Sequence, residues 1–364
     1  MSTLYGTLFT IQQFLFPALE KELQCSLSEP LQLFVTVAEL IAPGPLMENL
    51  EWQRRGRPSH WRLPIVLSLV AKAVFDLPTT RVLLERLKYD ATLRRLCGWE
   101  RVSELPSEAT FSRAFADFAR QELPQRIHEA MIRAHYGEKL AGHVNRDATA
   151  IESRERAARK APRPPKLKRK RGRPRRGQVR QPAAPRRLEL QASRSLAQNL
   201  ADLPTCCDNG AKQNSKGNLQ FWRGYKLHLD VVDGEIPVSA ILTSASLQDS
   251  QVAIPLAQLT ARRVTNLYDL MDAGYDAREI REFSRTLGHV PLIDPSARRG
   301  GGPPLTPAQR QRFKERTTVE RVNGDLKDNH GARHVRVRGA VKVLAHLMWG
   351  VIVVTAKGLR RLLE

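Results

Sequence analysis

The stretch QFWRGYKLHLDVV (Gln220–Val232), the pair Asp233-Gly234 and the stretch IPVSAILT (Ile236–Thr243) together decide the fold. Tyr225, Leu227, Leu229 and Val231 alternate with other residues, the two-residue period of a strand with one face on a core. Asp-Gly accepts the positive φ angles of a two-residue turn, so the second stretch returns as the antiparallel partner. Working outward, the pattern predicts a helix over Gln248–Ala261, a strand over Asn266–Met271 that stops on Asp272, and a helix over Ala277–Leu287. A short strand at His289–Ile293 follows, then a long helix opened by Pro307 and running to Asp328, and a last helix over Ala340–Leu363. Upstream, His143–Ile151 reads as one more strand.

In chain order these elements are β, a ββ hairpin, α, β, α, β, α, α, the order of an RNase H-like α/β core: a mixed five-stranded sheet flanked by helices, over residues 139–364. Residues 1–138 read as an all-α N-terminal domain. Its clearest helices are Arg62–Asp76, Thr80–Cys97, opened by Thr79 or Thr80, and Ser107–Gln121, opened by Pro106 and Ser107. Two uses fit such a bundle: a helix-turn-helix reader that binds DNA ends, or a scaffold.

Charge narrows the function. The chain carries 59 Lys and Arg against 37 Asp and Glu, a formal net charge of +22. A compact protein gains nothing in folding from that self-repulsion, so the charge points to a polyanionic partner, nucleic acid first. Between Ser153 and Arg187 there are sixteen basic residues against one acid, Glu155. The segment 153–202 has too few large apolar residues to offset the entropy of ordering and is expected to be a disordered insertion after the first strand. At its centre Arg171, Gly172, Arg173, Pro174 and Arg175 match the core of an AT-hook, whose arginines lie in a narrow A·T-rich minor groove. A basic linker that grips phosphates without preference fits the same residues; both readings bind nucleic acid.

Other classes recede. Cys25, Cys97, Cys206 and Cys207 lack the paired spacing of a zinc site and read as reduced thiols. Nothing resembles a secretory signal, so a cytoplasmic location is expected. The apolar run Val343–Ala356 is shorter than the ~20 residues of a membrane span and reads as a buried core helix, so no membrane partner is expected.

Three acids stand out for phosphoryl transfer, which works well with two divalent cations held by hard carboxylate oxygens. Asp147 interrupts a strand of small and apolar residues, and Asp272 falls where a strand stops; either alone also fits a turn or cap. Phe313, Arg316, Glu320 and Lys327 are spaced by three, four and seven, which aligns them along one helical stripe. That stripe suits a metal-binding carboxylate flanked by phosphate-binding cations, and equally a salt-bridged surface helix.

The stripe resembles the Tyr-Arg-Glu-Lys signature of a large group of DDE insertion-sequence transposases, with Phe313 in place of the tyrosine. Further pieces match that family in order: Asp147-Ala148-Thr149, Gly224-Tyr225-Lys226, Ser244-Ala245-Ser246 with Asp249, and Asp272-Ala273-Gly274-Tyr275. Leu96-Cys97-Gly98-Trp99, Pro106-Ser107 and Thr110-Phe111-Ser112-Arg113 are similar to its helical front end, so the resemblance runs over Leu83–Leu363. It implies a transposase that cuts DNA at transposon ends and joins the freed 3′-hydroxyl to target DNA, using two Mg²⁺ or Mn²⁺ ions. Asp147, Asp272 and Glu320 would hold the ions, Arg316 and Lys327 the phosphates, and Phe313 would lie against DNA. The partners implied are double-stranded DNA, as terminal repeats and target, and a second copy of the chain.

Two departures matter. Phe313 lacks the hydroxyl of the usual tyrosine. Only forty-seven residues separate Asp272 from Glu320, which leaves no room for the β-rich insertion some relatives carry; Trp222 and Trp349 are aromatic substitutes by chemistry, though both also read as core. Two alternatives stay open: a non-enzymatic DNA-binding protein derived from an inactive transposase, and an RNase H-like nuclease.

Overall fold

The computed structural model describes residues 26–41, 62–159, 185–213, 217–296 and 304–363. Six helices open it: α1 (Glu29–Ile41), α2 (Arg62–Val74), α3 (Thr80–Tyr89), α4 (Ala91–Leu96), α5 (Glu108–Arg120) and α6 (Leu123–His135). Thr79 caps α3 by accepting from the Val82 amide at 3.2 Å, and Ser107 caps α5 by accepting from Thr110 at 3.3 Å. The single helix expected over Thr80–Cys97 is two, because Asp90 accepts from the Leu93 amide at 2.8 Å and starts a new one. An Asp side chain competes with the helix ladder for backbone donors, so the apolar spacing carried across a break that the cap imposes.

The sheet has six strands: β1 (Leu140–Glu152), β2 (Asp208–Gln213), β3 (Leu219–Val232), β4 (Ile236–Ser244), β5 (Thr265–Met271) and β6 (Val290–Ile293). β1 lies at its centre, antiparallel to β3 and parallel to β5, with β6 parallel beyond β5. The expected five strands are all present, and β2 is an addition that sequence reading did not find. Gly224 of β3 pairs with Glu152 on one side and Asp208 on the other, so β2 shares the outer edge of β3 with β4. β2 is DNGAKQ, without the β-branched or aromatic residues that announce a strand; pairing with β3 makes it one.

Part of the expected disordered insertion is ordered. Residues 187–202 form α7 (Arg187–Gln191) and α8 (Leu196–Asp202), which pack on α9 (Ala253–Thr260) and α10 (Arg278–Thr286). Leu196 and Leu203 are buried there, and Arg187 reaches Asp202 at 2.7 Å. A few apolar side chains suffice when a helix surface already exists to receive them. The AT-hook-like residues 171–175 lie outside the described residues, as does Cys25. Cys97, Cys206 and Cys207 are free thiols.

The chain ends in α11 (Pro307–Phe313), α12 (Thr317–Asn329) and α13 (Ala340–Leu363). The long helix expected from Pro307 is thus interrupted by a 3₁₀ turn at Lys314–Arg316. α13 is long and apolar enough to cross a membrane by length and composition, but two thirds of that span is buried inside the protein. Its neighbours are β4, α12 and the front helices α1, α2, α5 and α6. One core therefore runs from Phe34, Val70 and Phe118 through Ile352 and Val353 to Val232 and Ile236, joining the front helices to the sheet. A second core lies between the sheet and α12 and α13, built on Leu227, Leu229, Val319, Val322 and Val351.

Alternation along β1 sends neighbouring residues to opposite faces. Arg146 points away from the second core and forms a fork with Asp230, Nε to Oδ1 at 2.8 Å and a terminal nitrogen to Oδ2 at 2.7 Å, where Thr260 also donates at 2.6 Å. Both partners of this pair are fully buried. Asp147 consequently faces α12.

Candidate active site

Register brings the first two acids together. β1 and β5 run parallel with Arg146 opposite Met271, so the next residues, Asp147 and Asp272, lie side by side on adjacent strands. Neighbouring strands are ~4.8 Å apart, and residues at matched pleats point the same way. Asp272 ends β5 and caps the turn Ala273–Tyr275, its Oδ1 accepting from the Gly274 amide at 2.8 Å. Its other oxygen is left toward the site.

The third acid arrives on α12, which packs across β1 and β3. The 3₁₀ turn before α12 places Arg316 over the two aspartates. One terminal nitrogen of its guanidinium lies 3.8 Å from Asp147 Oδ1 and 3.6 Å from Asp272 Oδ2, while the other bonds Glu320 Oε1 at 2.5 Å. Asp147, Asp272 and Glu320 therefore converge on a single cation, and Arg316 is the hub. Asp272 and Glu320 remain about half exposed, whereas the Asp147 side chain is 15% exposed. Burial pushes the Asp147 carboxyl up to about 6, against the attraction of Arg316 and the hydrogen bond from the Ala148 amide; the neighbouring Asp272 charge raises it further.

Sequence reading missed two members of this site. Asn323, three residues after Glu320 and so on the same helical face, donates to Asp147 Oδ2 at 3.2 Å and fixes the carboxylate from above. Its signal was the i+3 spacing. Lys212 stands on the unforeseen β2, and its charge acts on both Asp147 and Lys327. Lys327 is half-buried and held below the usual lysine range by burial first, then by Arg333 and Lys212, with Glu152 opposing. The expected cation of the stripe is thus near Lys212, the lysine whose charge reaches Asp147. Phe313, at the end of α11, is half-buried.

Gly224 pairs with Asp208, the first residue of the strand that carries Lys212. Gly224 has φ 151°, and a Cβ there would fall 2.1 Å from the Ile151 carbonyl oxygen, so only glycine fits. Just beyond, Lys226 bonds Asp249 Oδ1 at 2.8 Å and the Leu247 carbonyl at 2.9 Å, tying β3 to the loop after β4. The Tyr225 hydroxyl donates to Glu155 at 2.9 Å. Trp222 donates to the Tyr225 carbonyl at 3.1 Å and packs on Gly210, and Trp349 is 3% exposed on α13, so neither stands at the carboxylate site.

Two family models match the chain: the transposase DDE domain over residues 191–355, and a transposase domain (DUF772) over residues 22–117. The first spans five of the six strands and α12; the second spans α1 to α4 and most of α5. The chain belongs to the DDE insertion-sequence transposases. No curated protein and no solved structure matches it. As a transposase it acts on DNA, and its family typically uses divalent metal.

The donor set suits a hard divalent cation: three carboxylates, one buried enough to lack full solvation, and a side-chain amide to orient it. As they stand, however, no three His, Cys, Asp or Glu groups among the described residues sit close enough together to hold an ion. The positive charge at the centre of this transposase site is the Arg316 guanidinium.

Proposed function

We propose that this transposase cleaves DNA strands at transposon ends in a Mg²⁺-dependent reaction and joins the freed 3′-hydroxyl to target DNA, on an RNase H-like catalytic domain. The observation that carries this reading is the convergence of Asp147, Asp272 and Glu320, far apart in sequence, on Arg316. Asp147 and Asp272 would hold two Mg²⁺ or Mn²⁺ ions and Glu320 would complete one shell. The ions supply charge neutralisation at the scissile phosphate and activation of the attacking oxygen.

The protein's own groups do the rest. Arg316 keeps the three carboxylates gathered when no ion is bound. With the carboxylates holding ions, the Arg316 guanidinium would turn its fork of donors to a DNA phosphate. Lys212, whose charge acts on Asp147, and Lys327, whose charge meets that of Lys212, hold neighbouring phosphates. Asn323 keeps the Asp147 carboxylate turned toward Asp272. The front helices bind the transposon ends, and the basic segment 160–184 grips DNA phosphates or an A·T-rich minor groove. Two ends must be cut and joined together, so a homodimer acting in the cytoplasm on chromosomal DNA fits the task.

The test is cleavage of end-containing DNA in Mg²⁺. Asp147→Ala, Asp272→Ala and Glu320→Ala are expected to abolish cutting while end binding in a gel shift persists. Wild-type cutting by Glu320→Ala would overturn the assignment. Cutting of an RNA–DNA hybrid in preference to transposon ends would identify a nuclease instead, and end binding without metal-dependent cutting a DNA-binding protein.

A further inference from the structure

A cavity of about 290 Å³ opens at the seam between the front helices and the sheet domain, and it shares no residue with the carboxylate cluster. Its wall is contributed by α2, the start of α3, α5, the residues after β1, the loop between α12 and α13, and α13 itself. Lys72, Arg154 and Arg336 bring positive charge to it. Glu108, the one acid of the wall, turns to Arg81 at 3.5 Å. His330 and His346 are committed to the carbonyls of Ala73 and Gly331, each at 3.0 Å, and burial holds both below the usual histidine range. They add no compensating negative charge.

Two groups in the wall are poised for a further partner. The Trp349 indole N–H is buried with no acceptor among the described residues, a deficit worth ~1–3 kcal/mol. The Lys72 ammonium makes no hydrogen bond or ion pair to a described residue, and burial lowers it to about 8 although Asp76 pulls the other way. Both need an acceptor, and the Lys72 ammonium needs a negative one. Thr79 and Thr80, at the start of the ten-residue helix α3, line the same cavity. The lining also includes the apolar side chains of Leu69, Phe115, Val337 and Trp349. A bare phosphate would leave most of this volume and these apolar side chains unused.

We propose that this seam cavity is a nucleotide-binding site, in which Lys72, Arg336 and Arg154 take a phosphate monoester and the apolar side chains take the attached base. The nucleotide has two sources, a free mononucleotide or the 5′-phosphorylated end of a DNA strand, which share this chemistry. A nucleotide here bridges front helices and sheet domain, so its binding would tighten the two against each other.

Calorimetric titration of the full chain in EDTA, so that no carboxylate-bound ion contributes, tests this separately from strand cleavage. The probes are 2′-deoxyadenosine 5′-monophosphate, 2′-deoxyadenosine, inorganic phosphate and a 5′-phosphorylated tetranucleotide with its unphosphorylated twin. Expected is binding of the mononucleotide, or of the phosphorylated tetranucleotide over its twin, about tenfold tighter than deoxyadenosine or phosphate. Lys72→Met and Arg336→Gln should each weaken it about tenfold. Arg336 is exposed, so Arg336→Gln reads the site even if the Lys72 variant fails to fold. The tighter of the two phosphorylated probes names the source. Equal binding with and without phosphate, no binding at millimolar concentration, or binding unmoved by both substitutions, which would trace it to the basic segment, each overturns the proposal.

Discussion

Acidification to pH 5 should cost this protein about 4 kcal/mol of stability through the buried histidines His128 and His228, of which Asp147 returns about 1. His128 of α6 and His228 of β3 are both 0% exposed. The ring of His128 donates through Nε2 to the Pro237 carbonyl at 2.9 Å, and that of His228 meets the Thr243 hydroxyl through Nε2 at 2.9 Å. In each the Nδ1 atom has no partner among the described residues, so a second proton would be a buried charge with nothing to accept it. Burial accordingly lowers His128 to about 3, helped by Arg263, and His228 to about 4, with Asp249 opposing. The unfolded chain takes up these protons near pH 6.5 and the folded chain does not. Stability is therefore complete above pH 6.5 and falls as pH drops toward the folded values. At pH 5 each histidine has cost about 2 kcal/mol relative to pH 7. Asp147, raised to about 6, works in the opposite sense and returns about 1 kcal/mol over the same interval. Against a typical reserve of ~5–15 kcal/mol the net loss is large. Urea unfolding at pH 7 and pH 5 measures it, in wild type and in His128→Gln with His228→Gln. The double variant should lose about 4 kcal/mol less than wild type on acidification, while His346, which burial also lowers to about 4, goes on titrating in both proteins. An unfolding midpoint that does not move in wild type, or moves equally in both proteins, refutes the argument.

Arg146→Met leaves Asp230 charged and buried with only Thr260 beside it, so we expect a loss of ~3–5 kcal/mol in urea unfolding, largely recovered in Arg146→Met with Asp230→Leu. Gly224→Ala should cost at least ~1–3 kcal/mol, because its φ of 151° and the Ile151 carbonyl both exclude a Cβ; by displacing the strand that carries Lys212 it should also slow strand cleavage. Wild-type stability and rate in that variant would remove that strand from the site. Deleting residues 160–184, which hold eleven basic residues and no acid, should weaken DNA binding and flatten the slope of log K against log salt by ~0.9 for each DNA phosphate the segment neutralises, as read by fluorescence anisotropy. An unchanged slope would mean the segment does not touch DNA.

The elements were legible in the sequence wherever a local pattern fixed them. The β3–β4 hairpin, the strand ending on Asp272 and the helix Ala340–Leu363 all lie where alternation, turn residues and apolar runs put them. The stripe from Phe313 to Lys327 was legible for the same reason, although the 3₁₀ turn breaks the helix and lets Arg316 reach inward. Where the pattern was weak the reading faltered: β2 carries no strand signal, and α7 and α8 gain their order from helices they meet only in the folded chain.

Charge and local periodicity, both properties of neighbouring residues, are what the sequence by itself determined: a nucleic-acid partner, the inventory of helices and strands, and the spacing of Arg316, Glu320 and Lys327. Tertiary structure alone decided that Asp147 sits beside Asp272, since strand register depends on two segments over a hundred residues apart. It also decided that one guanidinium gathers three carboxylates, that Asn323 and Lys212 join them, and that Lys72 and Trp349 face a common cavity. Each of these is a distance between residues remote in the chain, and such distances are set only when the apolar faces of the helices and the sheet have closed on one another.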